Sequence, residues 1–116
     1  MNFKDISELT ITTELDILKR DTQRNNMLLF QHGNFFANDT RIGNEDQSIA
    51  HQKFVNVLNK AIQDNTALVL SPEYSCPKSV ITHIIDNELL RPPSNKVWVL
   101  GGESLNKSEI LELMRL

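Results

Sequence analysis

Cysteine, basic charge and long apolar runs are all scarce in this chain. Cys76 is the only cysteine among 116 residues, so no disulfide can close within the chain and a reducing compartment is expected. No apolar stretch approaches the roughly 20 residues needed to span a bilayer. Residues 1–19 mix acids with isolated apolar positions and lack the apolar run of a secretory signal. A cytoplasmic location is therefore the expectation. Lys and Arg number 12 against 15 Asp and Glu, for a net charge of −3. Without a dense basic patch, nucleic acid is not expected as a partner, and nor is a membrane. The phosphate-binding patterns G-x-G-x-x-G and G-x-x-x-x-G-K-[ST] are absent. His32, His51 and His83 are too dispersed for a local metal motif, so no metal or organic cofactor is implied.

The 40% hydrophobic and 23% charged fractions suit one globular domain. Residues 1–26 read as an N-terminal arm or linker: Leu9 and Ile11 alternate with threonines, Thr13 is placed to cap a short helical piece, and 21–26 is wholly polar. From residue 27 the pattern sharpens. Met27-Leu28-Leu29-Phe30, Ala67-Leu68-Val69-Leu70 and Val97-Trp98-Val99-Leu100 are short unbroken apolar runs, of the type that forms strands buried on both faces of a parallel sheet. Between the first two, Gln31 to Asp46 reads as a long polar loop. Gln47 to Gln63 then repeats Ala50, Phe54, Val57, Leu58, Ala61 and Ile62 at helical spacing, with Glu45 and Asp46 at the end where negative charge is favourable.

A second helix is expected from Pro77, with Val80, Ile81, Ile84, Ile85 and Leu89 as its apolar stripe and Pro92-Pro93 as its stop. A third begins near Lys107, capped by Asn106 or Ser108. The resulting order, strand–helix–strand–helix–strand, predicts an α/β fold with parallel strands joined by right-handed crossovers. The helical pattern is still running at Leu116, so continuation of the domain or a partner chain is the expectation.

In open α/β sheets, ligands bind beyond the carboxyl ends of the strands. That rule gathers His32, Glu73, Tyr74 and Glu103 on one edge. Glu73 is the leading candidate for chemistry: it follows an apolar strand and Pro72, where partial desolvation would raise its pKa and suit a general base. Cys76 opens the next helix but reads better as a packed thiol than as a nucleophile.

At this point a resemblance enters. Leu68-Val69-Leu70-Ser71-Pro72-Glu73-Tyr74 resembles the strand-then-Pro-Glu segment of the nitrilase superfamily of carbon–nitrogen hydrolases. Met27-Leu28-Leu29-Phe30-Gln31 is similar to that family's first strand, and Val97 to Glu103 to its third, with the closing glycine pair Gly101-Gly102. The likeness spans about residues 27–105, roughly the first third of such a domain. It implies that residues 27–116 are part of a carbon–nitrogen hydrolase-like αββα sandwich, with Glu73 as the general base. Tyr74, Glu103 and His32 would then contact a small amide, nitrile or carbamoyl substrate. The family's lysine and nucleophilic cysteine have no matching positions, so the chain by itself is expected to be inactive. Expected partners are the substrate, the remainder of the domain or a partner chain, and a second copy of this chain. Two other readings stay open: a non-catalytic α/β module that binds a ligand or protein, and a small enzyme using Glu73 and Glu103 as a carboxylate pair with a divalent metal.

Overall fold

A computed structural model describes residues 25–116. The expected segment within 1–24 lies outside the described residues. Three short strands, β1 (Met27–Leu29), β4 (Leu68–Leu70) and β5 (Val97–Val99), form a parallel sheet in the order β1-β4-β5. Their register is unbroken, with Leu28 opposite Val69 and Val69 opposite Trp98. The α/β class read from the apolar runs is the class observed.

The helix α1 (Gln47–Gln63) has the bounds that its periodicity predicts, and Asp46 caps it by accepting from the Ile49 amide at 2.9 Å. Its buried face is Ala50, Phe54, Leu58 and Ala61. The helix α2 (Lys78–Asp86) starts one residue later than expected, because Pro77 is extended (φ −62°, ψ 146°) and serves as its cap position. It also ends earlier. Asn87 leaves the helical region, a 3-10 turn follows over Glu88–Leu90, and Leu90 becomes the buried residue while Leu89 is 82% exposed. The stripe therefore closes on Leu90, not on Leu89. The short helix α3 (Lys107–Leu113) carries a reciprocal capping box between Asn106 and Glu109.

Phe54, Leu58, Cys76, Val80 and Leu90 form one buried cluster, onto which Phe30, Trp98 and Leu100 pack from the sheet. Both crossover helices thus cover the same sheet face, as successive right-handed crossovers in one direction require. The opposite face is not covered by described residues. Met27, Leu29 and Val99 are 55%, 71% and 51% exposed, and they share that face with Leu68, Leu70 and Val97. The expectation of strands buried on both sides is met on one side only.

The stretch expected to be a loop contains the largest surprise. Phe35–Ala37 (β2) pairs antiparallel with Ile42–Asn44 (β3), making a separate hairpin. Its turn is built by Asn38, whose Oδ1 accepts from the Thr40 and Arg41 amides while its own amide donates to the Arg41 carbonyl. Among the described residues no helix is long and apolar enough to cross a membrane.

Candidate functional site at the carboxyl edge of the sheet

The segment that leaves β5 is the hub of this edge. Gly101 accepts from the amides of Ser75 and Cys76 at 2.9 and 2.8 Å and donates to Ser71 Oγ at 3.0 Å. The loop after β4 is therefore wrapped tightly around one residue. Gly101 has to be glycine, since an added Cβ would lie 2.1 Å from the Pro72 carbonyl oxygen and 2.6 Å from the Glu73 Cα. Glu103 continues the parallel alignment by donating its amide to the Cys76 carbonyl at 3.0 Å. Ser104 then joins the hairpin: its Oγ accepts from the Ile42 amide at 2.7 Å, and its own amide donates to the Ile42 carbonyl.

These approaches place the Cα atoms of Glu73 and Glu103 within about 12 Å of each other on one edge. Their carboxylates, however, have opposite environments. The Glu73 side chain is exposed and makes no hydrogen bond or ion pair with a described residue. The desolvation expected behind Pro72 is thus not supplied by the described residues: Pro72 fixes the backbone against Gly101 and leaves the side chain free. Tyr74, next along, has φ 60° and is 39% exposed. The other positive-φ positions among the described residues are all asparagines, which tolerate that region. For a tyrosine it costs on the order of 1–3 kcal/mol, a kind of strain that clusters at ligand-contacting turns.

Glu103 is the reverse case. Its side chain is fully buried, and it accepts from four donors: the Asn44 amide at 2.7 Å, Asn44 Nδ2 at 2.5 Å, Gln47 Nε2 at 2.8 Å and Arg41 Nη2 at 3.2 Å. Every donor comes from the hairpin or the first residue of α1. The carboxylate therefore ties the hairpin to the sheet and is not presented to solvent. This corrects the expectation of Glu103 as a substrate contact, and it removes the Glu73–Glu103 pair as a shared metal site. A buried charge survives only when fully hydrogen-bonded, and the hairpin supplies what it needs. No group of three or more His, Cys, Asp or Glu positioned for a metal exists among the described residues.

His32 sits at the mouth of the hairpin, stacked on Phe30 at 5.2 Å and in contact with the rings of Phe35 and Phe54 at 5.1 and 5.7 Å. Its Nε2 is buried without a partner. With Asn34, Asn44 and Lys53 it lines a cavity of about 30 Å³, room for roughly one water molecule. His32 is thus packed among the rings of Phe30, Phe35 and Phe54. Cys76 is fully buried, and burial, followed by the nearby Glu103 charge, pushes its thiol up to about 12. A thiol so held is a packing group and not a nucleophile.

Compared with protein-family profiles, curated proteins and solved structures, the chain matches none. What the edge can do must be judged from its own residues.

Asn44, Gln47 and Arg41 are not legible in the sequence as members of this site. Each is an isolated polar residue in a stretch that reads as loop or as the start of a helix. Their common partner, Glu103, is 59, 56 and 62 positions away. The one local sign was Gly43 between Ile42 and Asn44, a strand interior glycine that marks a close approach.

Proposed function

We propose that this chain is the N-terminal portion of a carbon–nitrogen hydrolase acting on a small amide, nitrile or carbamoyl compound, inactive by itself, with Glu73 as general base. The observation that carries the reading is the state of Glu73. Its backbone is pinned to Gly101 at the carboxyl edge of a parallel sheet while its carboxylate is left unspent. A rigid mount with a free acid–base group is what proton transfer to a bound reactant needs. The apolar face carrying Met27, Leu29 and Val99, which no described residue covers, supports the rest, because it is where a second layer would pack.

In the chemistry that the resemblance implies, Glu73 takes the proton of a cysteine thiol supplied by a later strand of the domain. The thiolate adds to the amide carbon, and a lysine, also from a later strand, stabilises the oxyanion. Glu73 then protonates the departing nitrogen, and water drawn in by Glu73 releases the acid. Cys76 takes no part, being buried and protonated.

The buried state of Cys76 also favours a second reading, that of a non-catalytic α/β module, because no described residue provides an activated thiol. The two readings separate on one experiment. The full gene product is assayed for ammonia release from a panel of small amides, nitriles and carbamoyl compounds, beside its Glu73→Gln variant. The hydrolase reading expects turnover that falls by about 100- to 10,000-fold in the variant with an unchanged melting curve. Absence of turnover leaves the binding module, and turnover indifferent to Glu73 overturns its role as general base.

A further inference from the structure

Remote in sequence and outside the Glu73–Glu103 edge, two of the three histidines meet. His51 lies near the start of α1 and His83 in the last turn of α2. Their rings are nearly parallel, 10° apart, with centroids at 5.6 Å. Nδ1 of His51 is 2.8 Å from Ser79 Oγ. The His83 ring makes no hydrogen bond with a described residue. Both histidines are half-buried, and none of their nitrogens is among the buried unpartnered atoms, so solvent reaches the free ones.

We propose that His51 and His83 form a two-histidine clamp for one divalent transition-metal ion of the zinc, nickel and copper type, joining α1 to α2. Neutral imidazole is the ligand these ions share, whereas magnesium and calcium take oxygen. In the tautomer whose Nδ1–H donates to Ser79 Oγ, the Nε2 of His51 carries the free lone pair. That arrangement is the one metal-ligating histidines use, with the second ring nitrogen anchored by an outer hydrogen bond. Zinc–nitrogen bonds of about 2.0–2.1 Å require the two nitrogens about 3.3 Å apart at the tetrahedral angle. Two imidazoles bound to one tetrahedral ion at these lengths have centroids roughly 5 Å apart, close to the 5.6 Å observed, so the rings need to turn from their near-parallel stacking until one nitrogen of each faces the ion. No third His, Cys, Asp or Glu is grouped with the pair among the described residues.

The chain is well suited to a direct test because it holds only three histidines, and His32 is an internal control. The imidazole nitrogens of the 15N-labelled full chain are followed by NMR during titration with zinc chloride, then with substoichiometric nickel chloride. The expected result is that His51 and His83 shift together and saturate at one equivalent, while His32 stays still. His51→Gln and His83→Gln, folded by circular dichroism, should each weaken binding by about 100-fold, and Ser79→Ala by about tenfold through the lost outer hydrogen bond. The melting temperature of the wild type should rise with zinc, and that of either Gln variant should not. The proposal is overturned if His51 and His83 titrate independently. It is also overturned if either Gln variant binds as the wild type does, or if millimolar zinc moves neither ring.

Discussion

The Glu103 carboxylate lies directly over Gly43: a Cβ at Gly43 would stand 2.9 Å from both Cδ and Oε1 of Glu103. The absent side chain of one residue is thus the space in which the charge of the other is buried. Because Asn44 follows Gly43 in β3, the same close approach brings two donors of Asn44 to one carboxylate oxygen.

Gly43→Ala should therefore destabilise the chain by about 1–3 kcal/mol, the usual range for overpacking a filled site. Gly101→Ala should cost more, because its Cβ meets the Pro72 backbone at 2.1 Å and backbone cannot swing aside. Urea melts of the two variants check the order. Equal midpoints would show that the loop after β4 is free to move away from Gly101.

Removing the carboxylate leaves the buried Asn44 amide without its acceptor and unties Arg41, while Asn44 Nδ2 and Gln47 Nε2 keep the Ser75 and Asn44 carbonyls. Glu103→Leu should cost roughly 3 kcal/mol or more, with the hairpin affected first. Hydrogen exchange localises the effect: the Asn44 and Ile42 amides should lose protection, while those of β4 keep theirs. Uniform loss across both would mean that the hairpin and the parallel sheet unfold as one unit.

For Cys76 the sign of the pH effect is fixed by the direction of its shift. The folded pKa, about 12, lies above the ordinary value of 9.0. Between these values the unfolded chain releases a proton that the folded chain retains. The stabilising contribution is thus complete below about pH 9 and is lost as pH rises toward 12. The slope approaches about 1.4 kcal/mol per pH unit. Cys76→Ala should lower stability at pH 7 but flatten the alkaline fall relative to the wild type. Iodoacetamide at pH 8 should leave the native thiol unmodified and label it in urea. Rapid native labelling would contradict its burial.

The sheet face that no described residue covers makes a prediction about association. Exposed apolar faces of this kind bind dyes and one another. The isolated 116-residue chain should bind a hydrophobic dye or sediment as a dimer or larger. A Leu29→Lys, Val99→Lys double variant should lower both signals while keeping its helical circular dichroism. A dye-silent monomer would mean that the face is already covered.

Much of the fold was legible in the sequence because periodicity is a local property. The apolar runs at 27–30, 67–70 and 97–100 marked the parallel strands, and the spacing from Ala50 to Ile62 marked α1 to the residue. Asn106 and Ser108 were both placed to cap α3, and the reciprocal bonds with Glu109 select Asn106. Pro72-Glu73 ahead of Pro77 was enough to pick out the loop at the sheet edge. The hairpin escaped because three-residue strands, Phe35–Ala37 and Ile42–Asn44, are too short for alternation to show against the polar turn between them.

What tertiary structure alone decided was the environment of each charged or titratable group. From the sequence, Glu73 and Glu103 are similar: acids shortly after apolar strands. In space one is exposed and unspent and the other is buried under four donors, because Arg41, Asn44 and Gln47 meet the Glu103 carboxylate, whereas in the loop after β4 the hairpin reaches the Ser75 carbonyl and not the Glu73 side chain. Likewise His51 and His83, 32 positions apart in the chain, become neighbours only because both crossovers put their helices on one face. Local pattern determines which elements form, since hydrogen bonding and side-chain periodicity act over a few residues. Which polar groups share a site depends on contacts among residues far apart in sequence, and those exist only once the sheet is assembled.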